Sequence, residues 1–144
     1  QINFMEQYEY FISHTTYSII NENKDILGKR VAKNFFRLSE ILKSCDIGTS
    51  TVVLHKNLIT QNVKFASLAT KEDFVLWLRI LKNNVSIYGL NEDLTFWTKS
   101  KNSLSSSTFQ KLVDGFRVYY NYMNFGFIKS VYYLICLSKN FLKK

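Results

Sequence analysis

The chain has 144 residues, 47% of them hydrophobic, and a formal net charge of +8. These values exclude general disorder and fit one domain, or part of one, with a core of its own. Its two cysteines, Cys45 and Cys136, stand far apart with no CxxC pair, which argues against a disulfide framework or a zinc ribbon and fits a reducing compartment.

In chain order, Gln1 is not a start methionine, and residues 2–10 read as a helix already under way without a capping residue. The expectation is a fragment whose N-terminal neighbour is missing. Phe11 to Ile20 reads as a strand, rich in Ile, Thr, Tyr and Phe, and Asn21 to Asp25 as the turn after it. Ile26 and Leu27 fit a second, shorter strand ended by Gly28. Phe35, Leu38 and Leu42 recur at helical spacing, predicting a helix to about Lys43. Cys45 to Gly48 closes it, and Thr49 to His55 has the β-branched content of a buried strand, entered through a glycine that permits close backbone approach. Lys56 to Ile59 reads as one helical turn and Val63 to Ala69 as a loop.

Thr70 followed by Asp73, just ahead of an apolar run, reads as a capping box. The helix it opens runs from Lys71 to Asn83, with Phe74, Trp77, Leu78 and Leu81 along one buried face. Asn83-Asn84 ends it with side chains that tolerate left-handed geometry. Val85 to Leu90 and Leu94 to Trp97 are predicted as two strands separated by polar Asn91-Glu92-Asp93. Residues 99–107 read as a loop. From Thr108, the positions Phe109, Leu112, Val113, Phe116, Tyr120 and Met123 trace a helix face; Gly126 interrupts, and a last amphipathic helix covers about Phe127 to Leu142.

Charge is uneven: no acidic residue follows Asp114, whereas Arg117, Lys129, Lys139, Lys143 and Lys144 lie among nine aromatics from Phe116 to Phe141. A membrane surface, an anionic ligand and nucleic acid all fit such a tail. The longest late apolar run, Val131 to Leu137, falls well short of the roughly 20 residues that cross a bilayer. No signal peptide is visible.

Chemical signals are sparse. His14 and His55 have no Cys or second His at ligand spacing, so a plain core or surface role is expected for each. Neither common Gly-rich phosphate loop occurs, nor a GxSxG elbow. The serines of Ser103 to Ser107 offer hydroxyls to a phosphate, although a solvated loop before a helix explains them equally well. Glu72 and Asp73 admit two readings: acids that favour the helix dipole, or a carboxylate fixed for chemistry.

The order of the segments tips that balance. Ser50-Thr51-Val52-Val53-Leu54-His55-Lys56, then Lys71-Glu72-Asp73-Phe74-Val75-Leu76-Trp77-Leu78-Arg79-Ile80-Leu81, then Tyr88-Gly89-Leu90-Asn91-Glu92-Asp93-Leu94 and Ser103-Leu104-Ser105-Ser106 closely resemble the C-terminal half of bacterial family 2 glycosyltransferases. The resemblance covers essentially the whole chain. It implies an α/β fold, part of a Rossmann-like GT-A domain with mixed short strands over residues 1–107, and C-terminal amphipathic helices, suited to a membrane surface, over 108–144.

The resemblance further implies an inverting sugar transfer from a nucleotide-diphosphate sugar to a polysaccharide or glycolipid acceptor. Asp73 would be the base and Glu72 its support. Acceptor contacts would fall at Gly48, Ser50, Thr51 and Trp77, and donor-diphosphate contacts at Lys99, Lys101 and Ser103. The divalent metal, Mg or Mn, would come through the missing half with its Asp-x-Asp motif, which this chain lacks, so the fragment alone should be inactive. Thr98 stands where similar sequences commonly carry arginine. The implied setting is cytoplasmic, peripheral on the inner membrane, without nucleic acid. The rival reading from another class is a non-catalytic basic α/β module that attaches to an anionic membrane or nucleic acid through residues 115–144.

Overall fold

The computed structural model describes residues 1–99 and 108–142. It is an α/β fold built around one strand, β1 (Ile12–Ile20). β4 (Tyr88–Thr98) runs parallel to β1 along one edge, while β3 (Val53–Leu54) and then β2 (Ile26–Arg30) pair antiparallel along the other. With neighbours on both edges, β1 buries Ser13, His14, Thr15, Thr16 and Ser18 as well as Ile12. Most such polar groups are bonded inside; the Thr15 hydroxyl is the exception, with no partner among the described residues. Ser13 Oγ accepts from Gln1 Nε2 at 3.0 Å, His14 Nε2 meets the Lys33 carbonyl at 2.8 Å, and the Thr16 hydroxyl donates to Asn91 Oδ1 at 2.9 Å. Because a carbonyl only accepts, His14 carries its proton on Nε2 there, and burial lowers its pKa.

The two strands expected at 85–90 and 94–97 are one. Asn91 and Asp93 do not make a turn, because their side chains pair with β1 instead: Ser18 Oγ donates to Asp93, which Lys29 also reaches at 3.3 Å. The surplus residues are absorbed as register shifts around Thr16. β2 likewise continues through Gly28 to Arg30. Gly89 has a steric purpose: a Cβ there would lie 2.7 Å from the Lys33 backbone nitrogen, where the chain after β2 crosses the sheet.

Several boundaries move for hydrogen-bonding reasons. Helix α1 covers Ile2–Gln7 and ends before Glu9, which takes φ 55°. Phe35 exchanges both backbone bonds with Ile87, at 2.8 and 2.9 Å, so the helix expected from Phe35 shrinks to α2 (Leu38–Ile41). Glu40 supports its start by accepting from the Phe36 and Arg37 N–H groups. The strand expected from Thr49 begins with a 3-10 turn over Thr49–Thr51, because the Thr51 N–H and hydroxyl both bond the Gly48 carbonyl.

Helix α3 (Glu72–Lys82) is the hub of the core. Burial extends beyond the predicted stripe of Phe74, Trp77, Leu78 and Leu81 to Val75, Leu76 and Ile80, since the helix is covered on several sides. Arg79 ties its far end to the Lys64 carbonyl at 2.8 Å, and Asn84, at φ 59°, takes the left-handed turn that closes it.

Helix α4 (Thr108–Arg117) passes into a π turn, Val118–Tyr122, and helix α5 (Phe127–Leu142) returns across it. Half of the positions that trace the helix face from Thr108 are outside: Phe109 is 76% exposed, and Leu112 and Tyr120 are also open, whereas Met123 is buried. Asp114, Gly115, Val118 and Tyr119 turn inward instead. Gly115 lets Leu134 approach to where a Cβ would lie 2.8 Å away, and the buried Tyr119 hydroxyl donates to the Leu42 carbonyl at 2.6 Å. The π turn resets the helical register between these groups. Val118, Tyr119, Met123 and Leu137 share one core with α3 and the sheet.

Candidate functional site

The start of α3 differs from a capping box. Lys71 occupies the N-cap position with φ 64°, and its side chain makes no capping bond. Thr70 is directed elsewhere: its N–H and hydroxyl both bond Asp114 Oδ2, at 2.9 and 3.1 Å. The Asp114 side chain is fully buried. Burial opposes its ionisation, but bonds from Gln110 and from Thr70, with the Arg117 charge, outweigh this and hold its carboxyl below the usual range. Asp114 therefore locks α4 against the entry to α3.

With Thr70 occupied, Asp73 is positioned by other partners. One carboxylate oxygen accepts the Phe74 N–H at 2.7 Å; the other accepts the Thr49 hydroxyl at 2.5 Å, across 24 residues of sequence. The N–H is one of those a helix start leaves without an intrahelical partner, so the local structure and the distant turn together fix this side chain.

Glu72 and Asp73 line a cleft of about 820 Å³ between the start of α3, the Cys45–Ile47 bend, α4 and α5. Its walls are largely apolar, formed by Phe74, Leu112, Leu134, Leu137 and Phe141, while Lys71 and Lys111 join the two acids among the polar groups. Burial lowers the Lys71 pKa, Lys111 acts in the same direction, and Cys45, Asp73 and Asp114 oppose them. A separate hollow of about 500 Å³ beside Lys33, Glu40 and Asp46 contains none of the predicted site residues.

Gly48 sits against the Tyr17 ring, whose Cε1 lies 3.0 Å from where a Cβ would be. Burial raises the Tyr17 pKa, Arg30 opposes it, and Cys45 and Asp73 add to the rise, which puts Tyr17 in the electrostatic neighbourhood of Asp73. Ser50 is exposed on the same 3-10 turn as Thr49, whereas Thr51 is buried with its hydroxyl bonded to Gly48. Trp77 does not reach the cleft: it is buried in the core, its indole N–H without a hydrogen-bond partner among the described residues. Lys99 is exposed at the end of β4, its N–H bonded to Ile20 at 2.8 Å, and is not part of the cleft wall. Lys101 and Ser103 lie outside the described residues.

Sequence reasoning missed Thr49, Lys71 and Lys111. Thr49 carries no signal of its own, since its role comes from a long-range contact, while both lysines look like ordinary solvated charges. Among the described residues no group of three His, Cys, Asp or Glu side chains is placed to hold a metal ion. His55 accepts the Asn57 N–H at 3.3 Å and serves its own turn. No helix among the described residues is long and apolar enough to cross a membrane.

The chain is 28% identical over its whole length to a putative teichuronic acid biosynthesis glycosyltransferase, TuaG, of Bacillus subtilis, covering 57% of that protein. Over 78% of the chain it is 37% identical to WfgD of Escherichia coli, a UDP-Glc:alpha-D-GlcNAc-diphosphoundecaprenol beta-1,3-glucosyltransferase, covering 44% of it. WfaP of Escherichia coli, with the same described activity, is 31% identical over an equal span. The chain thus spans about half the length of these curated relatives. No family model matches it, and no solved structure does.

Proposed function

From the premise that this chain is a homologue of bacterial glycosyltransferases, we propose that it is the acceptor-side half of a family 2, GT-A-type enzyme. The enzyme transfers a sugar, with inversion, from a nucleotide-diphosphate donor to a lipid-linked saccharide in surface-polysaccharide or glycolipid assembly. The observation that carries this reading is the Asp73 carboxylate, held by Thr49 and the Phe74 N–H at the wall of a large cleft. An acceptor hydroxyl attacking an anomeric carbon must lose its proton, and a carboxylate within hydrogen-bond reach can take it. Both oxygens of Asp73 have a partner that fixes their direction, so the group is oriented before substrate arrives.

In the proposed reaction the acceptor oxygen bonds the anomeric carbon from the face opposite the leaving nucleoside diphosphate. Its proton passes to Asp73, and the bond to the donor phosphate oxygen breaks. Glu72 lies beside Asp73 on the cleft wall and adds negative charge where the hydroxyl loses its proton. Beyond the donor-diphosphate contacts expected at Lys99, Lys101 and Ser103, the donor and any divalent metal would be held by residues outside this chain. The lipid-linked acceptor is favoured by the described activities of WfgD and WfaP and by the apolar cleft wall.

The test is Asp73→Asn in the protein that carries this chain. Transfer should fall by about a hundredfold or more, within the usual range for a positioned base, while donor binding is unchanged. Transfer persisting near its original rate would remove Asp73 from this role.

A further inference from the structure

The cleft has two chemical characters. On α5, Leu134, Leu137, Ser138 and Phe141 follow one another at i, i+3, i+4 and i+7 and line it. Opposite, α4 contributes Leu112, and beside it Lys111, whose ammonium stands 5.4 Å from the Phe141 ring centroid. Lys71 lies within electrostatic reach of Lys111. The ion pairs among the described residues, Lys29 with Asp93 and Arg117 with Asp114, include neither lysine. Of the carboxylates nearby, Asp73 is bonded to Thr49 and Phe74, Asp114 to Thr70 and Arg117, and Glu72 lines the same cleft. Two cations without an ion-pair partner among the described residues therefore border an apolar trough, and the candidate base lies on the same wall.

The outer surface of α5 continues this pattern. Ile128, Ile135 and Leu142 recur at seven-residue intervals and are 85%, 48% and 83% exposed. At about 100° per residue this stripe adjoins the cleft-lining face, and Leu142 belongs to both. Lys129 and Lys139 flank it in sequence. An exposed apolar stripe with neighbouring lysines has the chemistry of a helix lying on an anionic bilayer.

We propose that the cleft is the seat of the acceptor's lipid diphosphate. The diphosphate lies between Lys71 and Lys111, the first isoprenoid units lie against Leu112, Leu134 and Phe141, and the rest of the chain passes Leu142 into a bilayer held by the α5 stripe. This inference rests on the reading of a lipid-linked acceptor given above. A nucleoside diphosphate would bring the same anion, but its base and ribose would face leucines that leave their polar edges unpaired. The volume of about 820 Å³ falls within the roughly 300–1,000 Å³ of pockets that bury small ligands.

The probe is geranylgeranyl diphosphate, held below its micellar concentration and measured by equilibrium dialysis against the protein carrying this chain. UDP is kept saturating throughout so that the donor site is filled, and the comparison arms use inorganic diphosphate and geranylgeraniol. Geranylgeranyl diphosphate is expected to bind at least tenfold more tightly than either. Lys111→Gln should weaken it at least fivefold without changing geranylgeraniol binding, and Leu112→Ser, at a half-exposed site, should weaken it at least fivefold without changing inorganic diphosphate binding. Inorganic diphosphate binding as tightly as the prenyl compound, or loss of prenyl-compound binding once UDP is saturating, overturns the proposal, as do two variants that bind like the parent. Prenyl diphosphate binding in a protein without transferase activity would support this site while overturning the proposed reaction. Equal kcat/KM on lipid-free and lipid-linked acceptors, in parent and Leu112→Ser alike, would leave the reaction standing and overturn the site.

Discussion

Replacing Asp114 by Asn tests how the entrance to α3 is held. The exchange keeps volume and one acceptor oxygen, so Thr70 retains an acceptor for its N–H and hydroxyl, but the charge that strengthens both bonds is lost. Charge-assisted bonds contribute about 1.5–3 kcal/mol and neutral ones about 0.5–1.5. Two bonds from Thr70 thus lose about 2–3 kcal/mol, and relief of the buried charge returns part of it, leaving a net cost of about 1–2 kcal/mol.

Urea unfolding followed through Trp77, which is 1% exposed, should show this cost as a lower midpoint. With a slope near 2 kcal/mol per molar, the shift is about 0.5–1 M. The dependence on pH has a definite sign. Against the opposing effect of burial, bonds from Gln110 and Thr70 and the Arg117 charge hold the folded Asp114 carboxyl below the usual carboxylate range, so its contribution is full above that range and fades as pH falls through the lower folded value. The gap between parent and variant should therefore close below about pH 4. An unchanged midpoint, or a gap of equal size at pH 3 and pH 7, would refute the assignment of Asp114 as an ionised lock.

Substitutions at four other positions separate positioning from packing. Thr49→Val should lower kcat about tenfold, the equivalent of one lost orienting bond of about 1–1.5 kcal/mol, with little change in KM; Thr49→Ser should restore it. Gly89→Ala should destabilise the fold by about 1–3 kcal/mol in thermal or urea unfolding, because backbone rather than a flexible side chain meets the new methyl. Gly28→Ala, which meets nothing within 4 Å, should be neutral or stabilising by up to about 1 kcal/mol in the same measurement. Trp77→Phe should change stability by less than about 1.5 kcal/mol, since the cavity it leaves is offset by removal of an unbonded indole N–H; steady-state kinetics should show an unchanged acceptor KM.

The amino-acid sequence determined the order and type of most elements. β1, α3 and α5 are legible because their patterns are long and locally consistent: β-branched density in the first, and apolar residues at helical spacing in the others. The left-handed closure at Asn84 was also local chemistry. The resemblance to glycosyltransferases was carried by short runs of sequence, and the relatives agree with it at that level. Tertiary structure decided the partners. Asn91 and Asp93 have the composition of a turn, yet become part of β4 because hydroxyls of β1 and Lys29 bond them. Thr70 and Asp73 have the spacing of a capping box, yet Asp114, 44 residues on, takes Thr70 and leaves Asp73 to Thr49. The apolar face of α4 turns outward because Asp114 and Gly115 are drawn inward. A polar side chain states in sequence only that it must bond something; which group reaches it first is settled by the packing of distant segments, and the cleft beside Asp73 exists only as the product of that packing.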